Sequence, residues 1–328
     1  MTGRPVAPFT RHLDTSRTIT IDVLIAMLPS AVWGVYVYGL RCITIMALSV
    51  VSAVIFEFLF SRYILKSNSI SDLSCIITGL LVAFALPVSV PLWVPVFASF
   101  AGIIIGKELF GGIGKNLFNP AATGICLSYA LFPGTLNYFT KPFEYFPALA
   151  FNVPTELIEQ NHVVTALDNL KEGTVQVSAI ADDFYGTAAG SIGELSALLL
   201  LIGFAYLLFK RVIHFNSAFA YTMTIVLLSY LISYVDSEPI DFIKIQLFTG
   251  PTMLIMVFML NDYTTTPTTS LGRVVFAVLL GAGIVGMRYY GLTHFGEYYV
   301  LLVVNALSPI IEKYTYARVF GSKIRTQP

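Results

Sequence analysis

The chain has 328 residues, of which 56% are hydrophobic and only 12% charged, and its formal net charge is zero. Soluble domains carry about 25% charged residues, so an ordinary soluble domain is excluded, and recurrent apolar runs mark a polytopic membrane protein in contact with a lipid bilayer. With no excess positive charge and no basic stripe interleaved with aromatics, nucleic acid is not an expected partner.

Arg4, Arg11 and Arg17 sit in the first twenty residues without the apolar core and cleavage site of a secretory signal. This segment, 1–20, reads as cytoplasmic. At ~20 residues per span, ten helices are predicted near 21–39, 42–60, 72–86, 92–105, 117–132, 192–209, 217–234, 242–260, 274–287 and 298–311. They divide into a first membrane half (21–133) and a second (192–312), separated by a long loop (134–191) and followed by a tail (313–328). The fold class expected is thus all-α and polytopic.

Lys and Arg set the orientation of such a chain. With the N-terminus inside, only Arg41, Lys141, Lys171, Lys244 and Arg288 of the 19 cationic residues fall outside. Both termini are then cytoplasmic, and the acidic 134–191 loop is extracytoplasmic. Two stretches also echo each other five spans apart. Ile77-Thr78-Gly79 and Phe248-Thr249-Gly250 each open an apolar segment followed by a Pro-broken turn and a Gly-rich span. An odd offset makes the copies opposite in direction, the pattern of two inverted five-helix repeats around a shared site.

The turn from Gly106 to Ala122 contains Gly114-Lys115-Asn116, which is not a phosphate-binding P-loop, since Asn116 stands where Ser or Thr is required. Asn119-Pro120 is placed to cap and start the fifth helix. Asp262-Tyr263-Thr264-Thr265-Thr266-Pro267-Thr268-Thr269 puts five Thr hydroxyls around a proline. Such hydroxyls satisfy backbone at membrane depth, or bind a flavin ring or a dehydrated cation. Gly190-Ser191 opens the predicted sixth helix, whose N–H groups suit an anion, with ordinary capping by Ser191 equally compatible. Glu57 and Asp22 are expected at the interface, with their carboxylates in water. Cys42, Cys75 and Cys126 lack C-x-x-C spacing, and the four histidines lack ligand spacing, so no metal or iron–sulfur site is expected from this chain alone.

Several of these stretches resemble one family. Thr165-Ala166-Leu167-Asp168-Asn169-Leu170-Lys171 resembles the flavin-attachment segment of the D subunit of Rnf electron-transport complexes and of the related B subunit of sodium-pumping NADH:quinone reductases. Gly106–Ala122 with its Asn-Pro-Ala-Ala, Gly190-Ser191-Ile192-Gly193-Glu194, Asp262–Pro267, Asn305–Pro309 and Tyr314–Gly321 follow the same pattern, so the resemblance covers nearly the whole chain. Upstream of Thr165 the chain reads Glu159-Gln160-Asn161-His162-Val163-Val164, where the family usually has an Asp-x-x-(Ser/Thr)-Gly-Ala run.

The resemblance implies a flavin-carrying subunit of an ion-translocating ferredoxin:NAD oxidoreductase in a bacterial or archaeal cytoplasmic membrane. FMN would be esterified to Thr165, with Gly190, Ser191, Asn119, Thr264 and Thr265 as further cofactor-binding positions. It also implies a second, non-covalent flavin such as riboflavin. Partners would be other membrane and peripheral subunits, among them a second covalent-flavin subunit and iron–sulfur subunits. The residues alone leave two other readings open: a solute transporter or channel built on inverted repeats, and a flavin-free structural subunit of the same complex.

Overall fold

In a bilayer every backbone polar group needs an internal partner, and the computed structural model satisfies this with helices. It describes residues 16–65, 72–171, 177–233, 239–291 and 295–316. Among these no strand forms, and β pairing is limited to the bridge between Thr140 and His162. The first half comprises α1 (Ser16–Tyr38), α2 (Leu40–Phe60), α3 (Ser74–Ala85), α4 (Trp93–Phe100) and α5 (Pro120–Leu131). The connecting segment carries α6 (Pro133–Leu136), α7 (Thr155–Asn161), α8 (Ala166–Lys171) and α9 (Val177–Tyr185). The second half comprises α10 (Ala197–Phe209), α11 (Phe215–Ser233), α12 (Pro239–Phe248), α13 (Thr252–Leu254), α14 (Ser270–Tyr289) and α15 (Gly296–Thr315). Wide π turns extend α2, α4 and α13.

Among the described residues five helices are long and apolar enough to cross a membrane, and a sixth span forms if Ile240–Phe248 and Thr252–Met259, bent by 62°, are counted together. The expected spans 72–86, 117–132 and 192–209 fall on the shorter helices α3, α5 and α10. At 1.5 Å per residue, 12 or 13 residues reach about 20 Å, short of the ~30 Å hydrocarbon core.

The two echoed glycines do different work. Gly79 lies inside α3, where a Cβ would stand 2.8 Å from Val50 Cα, so its lack of a side chain sets the close crossing of α2 and α3. Gly250 has φ +68°, a left-handed conformation that ends α12.

Two expectations are corrected. Glu57 is not at the interface: it is fully buried and ion-paired to Lys107 Nζ at 2.6 Å, because the π turn of α4 brings the ammonium beneath α2. The helix expected from 192 begins at Ala197, capped by Ser196, whose hydroxyl accepts from Leu199 N–H. The residues before it are pulled out of helical shape, since Ile192 N–H and Gly193 N–H bond Leu86 O and Phe84 O at the end of α3. Arg41 and Arg288 are buried clamps. The Arg41 guanidinium donates to Val88 O, Val90 O, Pro147 O and Ala150 O, stapling the connecting segment to the turn after α3.

Candidate functional site

Two polar clusters lie at opposite ends of α3. At its N-terminal end a cavity of about 470 Å³ opens between α1, α3, α5, the 107–119 turn and the 257–264 segment. Its organiser is Asp262. Asp262 Oδ1 accepts from the Thr264 N–H (3.1 Å) and hydroxyl (2.9 Å). Its Oδ2 accepts from Asn119 Nδ2 (3.1 Å) and the Thr265 hydroxyl (3.2 Å). Burial pushes the Asp262 carboxyl up, opposed by these hydrogen bonds. Asn119 also caps α5 as its Asn-Pro start predicts, its Oδ1 accepting from Ala122 N–H at 3.1 Å.

Asn119, Thr264 and Thr265 are therefore brought together, as the sequence suggested, but their hydrogen-bonding groups largely serve one another. Asn116 also lines the cavity. Its Nδ2 donates to Phe118 O (3.2 Å) and the Thr264 hydroxyl (3.0 Å), while its buried Oδ1 has no partner. Sequence reasoning used Asn116 only to dismiss a P-loop. Its position three residues before the cap Asn119 was the available signal. Lys107 is the one cation among the described lining residues, and its ammonium is held by Glu57 and, at 2.7 Å, by Ser74 Oγ.

At the C-terminal end of α3 the space is small, about 20 Å³, room for roughly one water. Thr165, Leu167, Asp183, Gly190, Glu194, Thr249 and Gly250 line it. Thr165 is 6% exposed, not the open hydroxyl expected of a loop. It precedes α8 and closes a capping box. Its N–H and hydroxyl donate to Asp168 Oδ2 (3.0 and 2.9 Å), and its oxygen accepts from Asp168 N–H at 3.3 Å.

Asp183 Oδ2 accepts from the Thr249 hydroxyl at 2.7 Å, and burial raises its pKa to about 6. Glu194 accepts from the Tyr298 hydroxyl at 2.8 Å and from Ser191. Gly190 N–H donates to the Tyr38 hydroxyl. The N–H groups of Gly190, Ile192 and Gly193, adjoining Ser191, are thus occupied within the protein.

Behind Gly250 lies the polar core of the broken helix. Arg288 binds Glu297 through Nε (2.7 Å) and Nη2, and caps the open end of α12 by donating to Gln246 O (2.8 Å) and Thr249 O (2.7 Å). Nη2 also donates to Thr252 Oγ1 at 2.7 Å. A buried guanidinium is tolerated here because carboxylate and carbonyls satisfy it together.

The two clusters differ in what they fit. The large cavity lies within the ~300–1,000 Å³ of ordinary ligand sites, so its size admits a flavin ring. The small one cannot contain such a ring.

A model of the NQR2, RnfD, RnfE family matches residues 5–321. The chain is 33% identical to the D subunit of the Na(+)-translocating ferredoxin:NAD(+) oxidoreductase complex of Acetobacterium woodii, over 98% of this chain and 96% of that protein. It is 28% identical to the D subunit of the proton-translocating ferredoxin:NAD(+) oxidoreductase complex of Clostridium ljungdahlii, over 97% and 95%. It is 29% identical to the D subunit of the ion-translocating oxidoreductase complex of Mannheimia succiniciproducens, over 97% and 98%.

Proposed function

Because the chain belongs to the NQR2, RnfD, RnfE family, we propose that it is the flavin-carrying membrane subunit of an Rnf-type ion-translocating ferredoxin:NAD oxidoreductase, coupling electron transfer to Na+ or H+ movement. The observation that carries this reading is the end-to-end similarity to the D subunits of such complexes. Its partners are the other membrane and peripheral subunits of that complex, including a second covalent-flavin subunit and iron–sulfur subunits. Its place is a bacterial or archaeal cytoplasmic membrane with both termini inside.

A bound flavin would supply the one- and two-electron redox chemistry; the residues here hold it. In the large cavity the Asn116 side chain would contact it. Asp262 keeps Asn119 and Thr264 in place behind it. A phosphate-free flavin such as riboflavin suits walls whose one described cation, Lys107, is already paired to Glu57. Thr165 is the proposed anchor of FMN through a phosphoester.

We further read the frame as ten spans in two inverted five-helix repeats. Corresponding pairs support this: α2 packs on α3 and α4 as α11 packs on α12 and α14, while α1 meets α10 and α5 meets α15 across the halves.

The test is expression with the cognate flavin transferase, followed by denaturing-gel fluorescence, intact mass and acid extraction. One covalent FMN, adding its mass less one water and lost in Thr165→Ala, plus one extractable flavin is the expected result. A chain with neither would overturn the reading. An extractable flavin without a covalent one would favour the second reading, a protein flavin-free at the connecting segment, which the buried and hydrogen-bonded Thr165 hydroxyl supports.

A further inference from the structure

A further pocket opens at the end of the molecule where α10 stops and α11 and α14 begin. It measures about 130 Å³ and backs onto the large cavity across Val212, Asn261 and Tyr263, with His214, Thr268 and Arg273 on its own side. Its walls are loops tied to one another. The Tyr263 hydroxyl donates to Val212 O, the Ser217 hydroxyl to Asn261 Oδ1 at 2.7 Å, and the Thr266 hydroxyl to Asp262 O at 2.6 Å. Arg211, with φ +57°, is the left-handed residue that ends α10 and brings the chain round to His214.

These fixed walls leave two donors unused. Neither the Arg273 guanidinium nor the His214 ring has a hydrogen-bond or ion-pair partner among the described residues, and no described carboxylate lines the pocket. Glu312 accepts the Thr268 hydroxyl and forms no ion pair with Arg273. Partial burial, and then the nearby guanidinium, lower the pKa of His214, so the two groups are close enough to interact. A guanidinium fork with an imidazole N–H beside it is a donor set that suits a phosphate. The flanking surface is apolar. Phe215 and Phe219, 56% and 51% exposed, stack at 5.8 Å immediately after His214, and Leu271 is exposed two residues before Arg273.

We propose that this pocket binds the phosphate of an anionic phospholipid, with Arg273 and His214 on the headgroup and the acyl chains along Phe215 and Phe219 of α11. A free anion would use only the first half of that site, and a lipid uses both. In the orientation proposed above the site faces the cytoplasmic leaflet, whose anionic lipids are drawn to basic segments such as Lys210-Arg211. Binding by the purified protein does not depend on that orientation, nor on any flavin.

The test titrates the full chain, delipidated in detergent, with dioctanoyl phosphatidylglycerol, dioctanoyl phosphatidylcholine or inorganic phosphate, each followed by the shift in melting temperature. Phosphatidylglycerol should bind about tenfold tighter than phosphatidylcholine, and Arg273→Gln should remove that advantage, as expected for one charge-assisted hydrogen-bonding group. His214→Gln should cost about threefold. Arg211→Gln removes the same charge from the same end of the protein, outside the pocket, and should cost less than about twofold because exposed charges are screened. Replacing Phe215 and Phe219 together by Ala should weaken the lipid and leave inorganic phosphate unchanged.

Equal losses in Arg273→Gln and Arg211→Gln would reduce the site to diffuse surface charge and overturn it. Inorganic phosphate that binds as tightly as phosphatidylglycerol, with no response to the Phe pair, would replace the lipid by a free anion. Arg273-dependent binding of a hexaglutamate peptide, without any preference for phosphatidylglycerol, would replace it by an acidic partner segment. The Arg273 side chain holds no other described group, so its loss should leave the lipid-free melting temperature within about 2 °C. If that variant nevertheless fails to accumulate, His214→Gln against Arg211→Gln gives the same contrast.

Discussion

The two ends of α3 present opposite solutions to burying polar groups. At the Ser74 end one carboxylate, Asp262, is surrounded by donors from Asn119, Thr264 and Thr265, and open space of about 470 Å³ remains beside them. At the Leu86 end Asp183 and Glu194 line a space of about 20 Å³, and Glu297 pairs with Arg288 behind Gly250. A pre-formed cavity can take a neutral guest without moving. A filled, acidic cluster cannot. The difference is therefore one of available space.

The sharpest way to break the comparison is at Arg288. Arg288→Leu leaves Glu297 buried without its cation and frees the carbonyls of Gln246 and Thr249. We expect a loss of about 3–5 kcal/mol, visible as failure to accumulate in the membrane or as a much lower melting temperature in detergent. Flavin affinity in the distant large cavity of whatever protein survives should be little changed. Collapse of both properties together would show that the two ends are not independent.

Next in size is Asn116→Leu. It removes the donors to Phe118 O and Thr264 Oγ1 that order this cavity wall, and should weaken the extractable flavin by about tenfold, given ~1–3 kcal/mol for a buried hydrogen-bond group. Titration of the apoprotein with riboflavin checks this, with covalent labelling at Thr165 as the control that should not respond.

Gly250→Ala probes the other end. A Cβ at φ +68° is strained and meets Leu167 at 2.8 Å, so a cost of roughly 1–2 kcal/mol is expected. The loss should appear as a lower melting temperature in detergent, with riboflavin affinity intact.

The smallest effect is a pH dependence. Asp183 binds its proton more tightly in the folded chain, with a pKa of about 6 against an ordinary 3.8, chiefly through burial. Between these values the folded state holds more protons than the unfolded one. Stability should therefore fall as pH rises from about 4 to 6 and level off above, by at most about 3 kcal/mol for two units. Trp33, whose indole N–H donates to Gly186 O just after α9, offers a fluorescence readout. Asp183→Asn should flatten the profile, and an equally steep profile in that variant would assign the titration elsewhere.

Much of this was legible in the residues. Apolar runs gave the helices, because a 3.6-residue repeat in lipid leaves little alternative. Asn119-Pro120 gave a cap and a first turn that the structure reproduces, since that chemistry is local. Family resemblance named Thr165, Gly190, Ser191, Asn119, Thr264 and Thr265 as one set, which the structure divides between the two ends of α3.

Tertiary structure alone decided how those residues are used. A count of charges along the chain could not show that Arg41 and Arg288 are each buried by carbonyls far away in sequence. Sequence position likewise put Glu57 in water, although Lys107 fifty residues later neutralises it. Nor could spacing show that Asn119 donates to Asp262 and Asn116 to Thr264. Hydrogen-bond satisfaction is a count over partners, and those partners are 143 and 148 positions apart. The sequence determined which groups are present and what helices carry them. The packing of α3 between two distant loops decided which of those groups remain available.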